Sequence, residues 1–242
     1  MSDTFGIQAV RAVLRESPQR ARCLYVQRGR RDARVNELIG MARESGVRHQ
    51  VVEPAWFKRR AANEAHQGVV LECHELETAS EQTLYERWDE LGPTPLILIL
   101  DGVTDPRNLG ACLRNANAAG VDVVLLPKRR SAPLSPIALK TAQGGAEDLF
   151  IVEVTNLARA MRQLAERGVW IIGAAGEAVE NYTELDISGP VALVMGSEGD
   201  GMRRLTREHC DQLVKIPMRG SVSSLNVSVA CGILLFELTR QR

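Results

Sequence analysis

The sequence predicts an α/β protein whose larger part, from Leu96 onward, is a mostly parallel sheet with helices on both faces, preceded by a small α/β unit. Three observations predict it. After Leu96, six short apolar runs alternate with helix-like segments, and strands that are apolar on both faces belong to parallel sheets enclosed by helices. Ahead of them lies a polar stretch ending in two prolines, HELETASEQTLYERWDELGPTP, which reads as a connection between domains. The charge divides at the same place: residues 1–75 hold 13 Lys+Arg against 9 Asp+Glu, and residues 76–242 hold 17 against 21, in a chain of zero net charge.

In chain order, Phe5–Leu14 and Val35–Glu44 read as amphipathic helices, and Cys23–Val26 and Val69–Cys73 as short strands. These make a front domain of residues 1–75. Its excess charge is mostly arginine, with Arg28, Arg30, Arg31 and Arg34 in one loop-like stretch and Lys58-Arg59-Arg60 further on. The planar guanidinium fork suits phosphate; the alternative is a solvated basic face. Residues 76–95 read as the linker, with a helical turn or two around Leu84–Trp88. The back domain, 96–242, has strands at Leu96–Leu100, Val123–Leu126, Leu149–Val152, Val169–Gly173, Val191–Met195 and Leu213–Ile216. Helices are expected at Leu109–Ala119, Pro136–Ala142, Asn156–Arg167, Met202–Cys210 and from about Leu225 to Arg240.

Composition narrows the class. With 45% hydrophobic and 25% charged residues the chain is ordinary for a globular protein. Apolar runs such as Val229–Phe236 are too short to span a bilayer, and MSDTFGIQAV lacks the form of a signal peptide. A cytoplasmic protein is therefore expected. Five scattered cysteines, never in a C-x-x-C pair, read as buried thiols and not as a zinc site or disulfide framework.

Three loops at strand ends carry chemistry, at the place where ligands of open parallel sheets bind. In LDGVTDPRNLGACLRNANAAG, Asp105-Pro106 starts a helix with a capping carboxylate and a first-turn proline. Asn108 and Arg114 are left over, and they would lie on different helix faces unless Asn108 is still in the preceding loop. In VMGSEGDGM the glycines Gly196, Gly199 and Gly201 fit neither a dinucleotide fingerprint nor a P-loop. They imply a turn whose backbone approaches something closely, with Glu198 not needed for the turn. In KIPMRGSVSSLNVSVACGILLFEL, Ser223, Ser224 and Asn226 crowd the start of a nearly all-apolar helix. One serine would serve as its N-cap, and the helix itself must be covered by the sheet or by another subunit.

The set NLGACLRNANAAG, LVMGSEGDGM and IPMRGSVSSLNVSVA resembles, in order and spacing, the three motifs of the SPOUT-class, TrmH-like RNA 2′-O-ribose methyltransferases over about the last 150 residues. The front unit, with GIQAV near its start and HQGVV near its end, is similar to the L30e-like RNA-binding domain of one branch, which methylates a guanosine in the peptidyl-transferase region of 23S ribosomal RNA. The resemblance implies a trefoil-knotted sheet, a rare exception to unthreaded connections, and a homodimer. It also implies S-adenosylmethionine as cofactor, with no metal. Carried over residue by residue, cofactor contacts fall on Met195, Gly196, Gly199, Ile216, Met218, Ser224 and Leu225. The catalytic positions implied are Asn108, Arg114, Glu198, Ser224 and Asn226, and RNA contacts are expected from Arg28, Arg30 and Arg31.

A ribose 2′-hydroxyl is a poor nucleophile, so its proton must be removed or its developing negative charge stabilised. Guanidinium does not lose its proton in proteins. Arg114 is therefore expected to act as a cation on the 2′-oxygen or the adjacent phosphate, with Asn108 fixing the nucleotide or Arg114, and Glu198 orienting Arg114 or complementing the sulfonium. Two other readings compete. A ribosomal-type RNA-binding protein would leave Asn108, Arg114, Glu198 and Asn226 idle, and a nicotinamide oxidoreductase lacks its glycine spacing. A chain beginning near Pro93 is expected to fold on its own.

Overall fold

The computed structural model describes residues 2–30, 32–62, 64–74 and 76–242. In chain order the elements are β1 (Ser2–Phe5), α1 (Ile7–Glu16), β2 (Ala21–Gln27), α2 (Ala33–Glu44), β3 (Arg48–Val52), α3 (Pro54–Arg60) and β4 (Val69–Cys73). Then follow β5 (Ala79–Ser80), α4 (Glu81–Glu86), β6 (Leu96–Asp101), α5 (Pro106–Ala118), β7 (Val123–Pro127), α6 (Pro136–Ala142), β8 (Phe150–Val154), α7 (Leu157–Ala165) and β9 (Trp170–Ala174). The last are β10 (Glu180–Asn181), β11 (Val191–Gly196), α8 (Arg204–Glu208), β12 (Gln212–Lys215) and α9 (Val227–Gln241).

The first unit is a four-stranded sheet in the order β1-β4-β2-β3, with only the β2–β3 pair parallel. Ile7, Val10, Val13 and Leu14 recur at helical spacing on α1 and pack with Val35, Leu38 and Ala42 of α2. Asp32 starts α2 by accepting from the Val35 N–H. The single helix expected over Phe5–Leu14 is a strand end, Phe5, then a helix from Ile7. Gly6, at φ +88, makes the break. Strand β3 and helix α3 carry no clear sequence signal, because β3 is an edge strand whose residues are mostly exposed.

The second unit is an eight-stranded sheet in the order β10-β12-β9-β11-β6-β7-β8-β5, parallel at every pairing. Strands β6, β7 and β11 are buried along their whole length, which is why they read as unbroken apolar runs. The stretch read as a linker is partly structured, since β5 pairs with β8 and Leu84 of α4 is buried in the core of this sheet. Strand β11 enters late in the chain between β6 and β9, so its carboxyl end, where the glycine turn begins, lies between strands laid down much earlier.

The two compact units do not follow one cut in the sequence. Residues 134–148, including α6, cluster with 1–77, while 78–133 and 149–242 form the other unit. Within the first unit the segment is held by an ion pair between Arg20 and Glu147 and another between Lys140 and Glu64. It also packs tightly at Gly144, where a β-carbon would fall 2.1 Å from that of Ala12.

Candidate active site

Strand β11 ends at Gly196, and the chain turns back through Ser197 to Gly201, whose backbones exchange two hydrogen bonds of 3.0 and 3.2 Å. Gly199 and Gly201 have φ of +94 and +68, a conformation side chains rarely adopt. The turn is tied to the sheet by Asp101, the last residue of β6, which is 1% exposed. Its carboxylate accepts from the Arg203 backbone N–H at 2.9 Å and from Arg203 Nε at 2.5 Å. Sequence reasoning passed over Asp101 and Arg203; the signal was a lone acid closing a six-residue apolar strand.

Gly196, where the backbone was expected to approach a ligand, lines the cavity described below; it also has no room for a side chain, since a β-carbon there would lie 2.2 Å from the Gly201 carbonyl carbon and 2.3 Å from the Met202 nitrogen, on the returning arm of its own turn.

Asn108, Glu198 and Asn226, from three distant parts of the chain, form one hydrogen-bonded cluster. Glu198 Oε1 accepts from Asn108 Nδ2 at 2.8 Å and from Asn226 Nδ2 at 2.7 Å, and Asn226 Nδ2 also lies 3.0 Å from Asn108 Oδ1. Asn226 is the N-cap of α9, its Oδ1 accepting from the Ser228 N–H at 2.9 Å and the Ser228 hydroxyl at 2.6 Å. Neither Ser223 nor Ser224 caps the helix, contrary to expectation, because Asn226 lies one residue before it. Asn108 belongs to the first turn of α5 and not to the preceding loop, which places it about 120° around the helix from Arg114 at 3.6 residues per turn. Glu198 therefore holds the two amides. Arg114 is exposed and has no hydrogen bond or ion pair among the described residues.

Beside this cluster lies a cavity of about 990 Å³ whose walls include Met195, Gly196, Gly199, Ile216, Met218, Ser224 and Leu225. Apolar side chains of Met195, Ile216, Met218 and Leu225 make one kind of wall, and Glu198, Asp200 and Glu177 bring carboxylates. From Met218 to Leu225 no backbone N–H donates to a protein group among the described residues, so these donors face solvent or a ligand. Such a site fits a flat apolar ring joined to a cationic, polar tail.

In the first unit, Arg28 is exposed and paired with Glu53 at 2.8 Å, and Arg30 is paired with Asp32 at 2.8 Å. Arg31 lies outside the described residues. Exposed pairs of this kind contribute at most about 1 kcal/mol, so both arginines can exchange their carboxylates for phosphate. The five thiols are unpaired, and burial pushes Cys73 up to about 11 and Cys210 up to about 12.

Residues 95–236 match the SpoU rRNA methylase family, and residues 4–79 match the RNA 2′-O ribose methyltransferase substrate-binding family. The chain is 51% identical over 238 residues to the 23S rRNA (guanosine-2′-O-)-methyltransferase RlmB of Pectobacterium atrosepticum, covering 98% of this chain and 97% of that one. It is 48% identical to the enzyme of the same name from Pseudomonas putida, covering 98% and 96%. Among solved structures, the SpoU methyltransferase AviRb from Streptomyces viridochromogenes, in complex with the cofactor AdoMet, superposes with a TM-score of 0.81 at 22% identity, over 99% of this chain and 89% of that one. With a family match over more than half its length and relatives of about half identity end to end, the chain belongs to the SpoU rRNA methylase family.

Proposed function

We propose that the protein transfers a methyl group from S-adenosylmethionine to the ribose 2′-oxygen of a guanosine in 23S ribosomal RNA. The observation that carries this reading is the joining of Asn108, Glu198 and Asn226 in one cluster beside a cavity lined by the second and third motif loops. The near full-length relatives carry that activity in their names. Bound in the cavity, S-adenosylmethionine supplies an electrophilic methyl on a sulfonium.

The residues divide the work. Met195, Ile216, Met218 and Leu225 give the adenine apolar walls, and the loop N–H groups of 218–225 supply donors. Gly196 and Gly199 shape the turn, and Ser224 lines the ribose. Glu198, held by two amides, presents negative charge on the cofactor side, while Asn108 and Asn226 fix the nucleotide. Arg114 stays cationic and stabilises negative charge growing on the 2′-oxygen; the proton leaves through water.

A two-fold pairing of chains completes the site. On α9, Val229 is 50% and Phe236 52% exposed, with Ile233 between them at helical spacing. An apolar stripe of this kind needs a partner, and Arg114, unbonded among the described residues, reaches the site from the partner or its own side. Phe236→Glu should turn a dimer into a monomer by light scattering; an unchanged mass would count against this interface. The late insertion of β11 between β6 and β9 supports a knotted closing segment. Arg28, Arg30 and Arg31 of residues 1–75 grip RNA, and the protein works in the cytoplasm. No helix among the described residues is long and apolar enough to cross a membrane.

Calorimetry with S-adenosylmethionine tests the reading and separates it from a non-catalytic RNA-binding protein or a nicotinamide enzyme, since neither alternative binds this ligand. Asp101→Asn should weaken that binding about tenfold, because the turn then loses a charge-assisted hydrogen bond. Full affinity in the variant would mean that the turn does not need its anchor on β6.

A further inference from the structure

Three cations of the second unit stand outside the cluster described above. Lys128, Arg129 and Arg130 directly follow the last residue of β7, at the same carboxyl-end edge of the sheet as Asp101, and all are exposed. Many cations of this unit are matched to a carboxylate, as Arg159 is to Glu81, Arg204 to Glu208, Arg207 to Glu177 and Arg240 to Glu237. Among the described residues, the side chains of Lys128, Arg129 and Arg130 have no such partner.

Backbone contacts fix where these charges stand. The Ala132 N–H donates to the Val103 carbonyl at 2.8 Å, and the Ser131 hydroxyl approaches the same oxygen at 3.5 Å. The basic turn is thus bound to the loop that leads into α5 and Asn108. A β-carbon on Gly102 would lie 3.8 Å from the Arg130 carbonyl oxygen and 3.6 Å from the Ser197 β-carbon. Arg130 and the first residue of the glycine turn therefore flank Gly102, and Glu198 is the next residue along. Arg130 also sits at φ +59, where glycine or asparagine is more at ease, yet the chain places a long cation there.

Glu177, Glu198 and Asp200 line the cavity together with Arg207, which is paired with Glu177, and Lys215, and carboxylates repel a phosphodiester chain over roughly a Debye length of 8–10 Å. Cations added beside Glu198 favour an RNA strand lying across this edge. We propose that Lys128, Arg129 and Arg130 form a second contact for the RNA backbone, carried by the second unit itself, that holds the phosphates beside the target nucleotide. The inference rests on the RNA methyltransferase reading, and it gives the second unit an RNA grip that does not depend on the arginines of residues 1–75.

The test titrates the full chain, with and without Lys128→Gln, Arg129→Gln and Arg130→Gln together, with a single-stranded 23S rRNA fragment at several salt concentrations. Loss of three phosphate contacts should make the slope of log affinity against log salt shallower by about 2, at roughly 0.7 per contact on single strands. The specificity constant for RNA, kcat/KM, should fall at least tenfold, while calorimetry gives unchanged S-adenosylmethionine affinity. If the triple variant does not fold, the Lys128→Gln, Arg129→Gln pair, which leaves the left-handed Arg130 in place, should change the slope by about 1.4. Parental slope and turnover in a folded variant would overturn the proposal. A parental chain that binds RNA but transfers no methyl counts instead against the methyltransferase reading, and the slope comparison still decides whether the basic turn contacts RNA.

Discussion

Replacing Glu147 with alanine is expected to unfold the first unit at a temperature where the second is still intact. The Glu147 side chain is 4% exposed and its partner Arg20 9% exposed, and Arg20 also donates to the His74 carbonyl at 3.0 Å. Removing one member of a buried pair strands the other charge, at a cost of about 3–5 kcal/mol, a large share of any domain's stability. Calorimetry should show a separate early transition, and Glu147→Gln should recover part of the loss because its amide oxygen still accepts. Gly144→Ala should give the same early transition, since its β-carbon meets Ala12 and its φ is +93. A melt superimposable on the parental one in both variants would contradict this account of 134–148. The same contacts bear on the expectation for a chain beginning near Pro93: it would keep 134–148 but lose Arg20, Glu64 and Ala12, and with them the two ion pairs and the packing at Gly144 that hold this segment.

The second large effect concerns Arg114. Its side chain has no partner among the described residues, so Arg114→Ala should leave the melting temperature and S-adenosylmethionine affinity unchanged while kcat falls by about 10²–10³, the range seen when one preorganised donor is removed from a developing negative charge. Arg114→Lys should be nearly as slow, because ammonium keeps the charge but lacks the planar two-point fork. Near-parental turnover in the lysine variant would show that a point charge suffices.

The second unit was legible because its central strands are buried on both faces, so β6, β7 and β11 stand out as apolar runs. The family motifs likewise marked Asn108, Glu198 and Asn226, although their mutual hydrogen bonds could not be read from positions 28 to 118 residues apart. Other features were hidden for physical reasons. Strand β3 alternates poorly because it is an edge, and β10 is two residues long. The exchange of 134–148 into the first unit rests on pairs such as Arg20 with Glu147, which are far apart in sequence and locally unmarked. Gly196 stood out by its residue type and its place at the end of a strand, but sequence could not show that the returning arm of its own turn also leaves no room there for a β-carbon. The capping role of Asn226 was obscured by two serines just before it, each an equally good cap by type.

Mapping 2′-O-methylation across 23S rRNA, from cells with and without this protein, asks whether it is the ribose methyltransferase. One guanosine should lose its mark in the cells that lack the protein, and the mark should return with the parental chain but not with Arg114→Ala. A map in which every 23S ribose mark persists without the protein would contradict that reading.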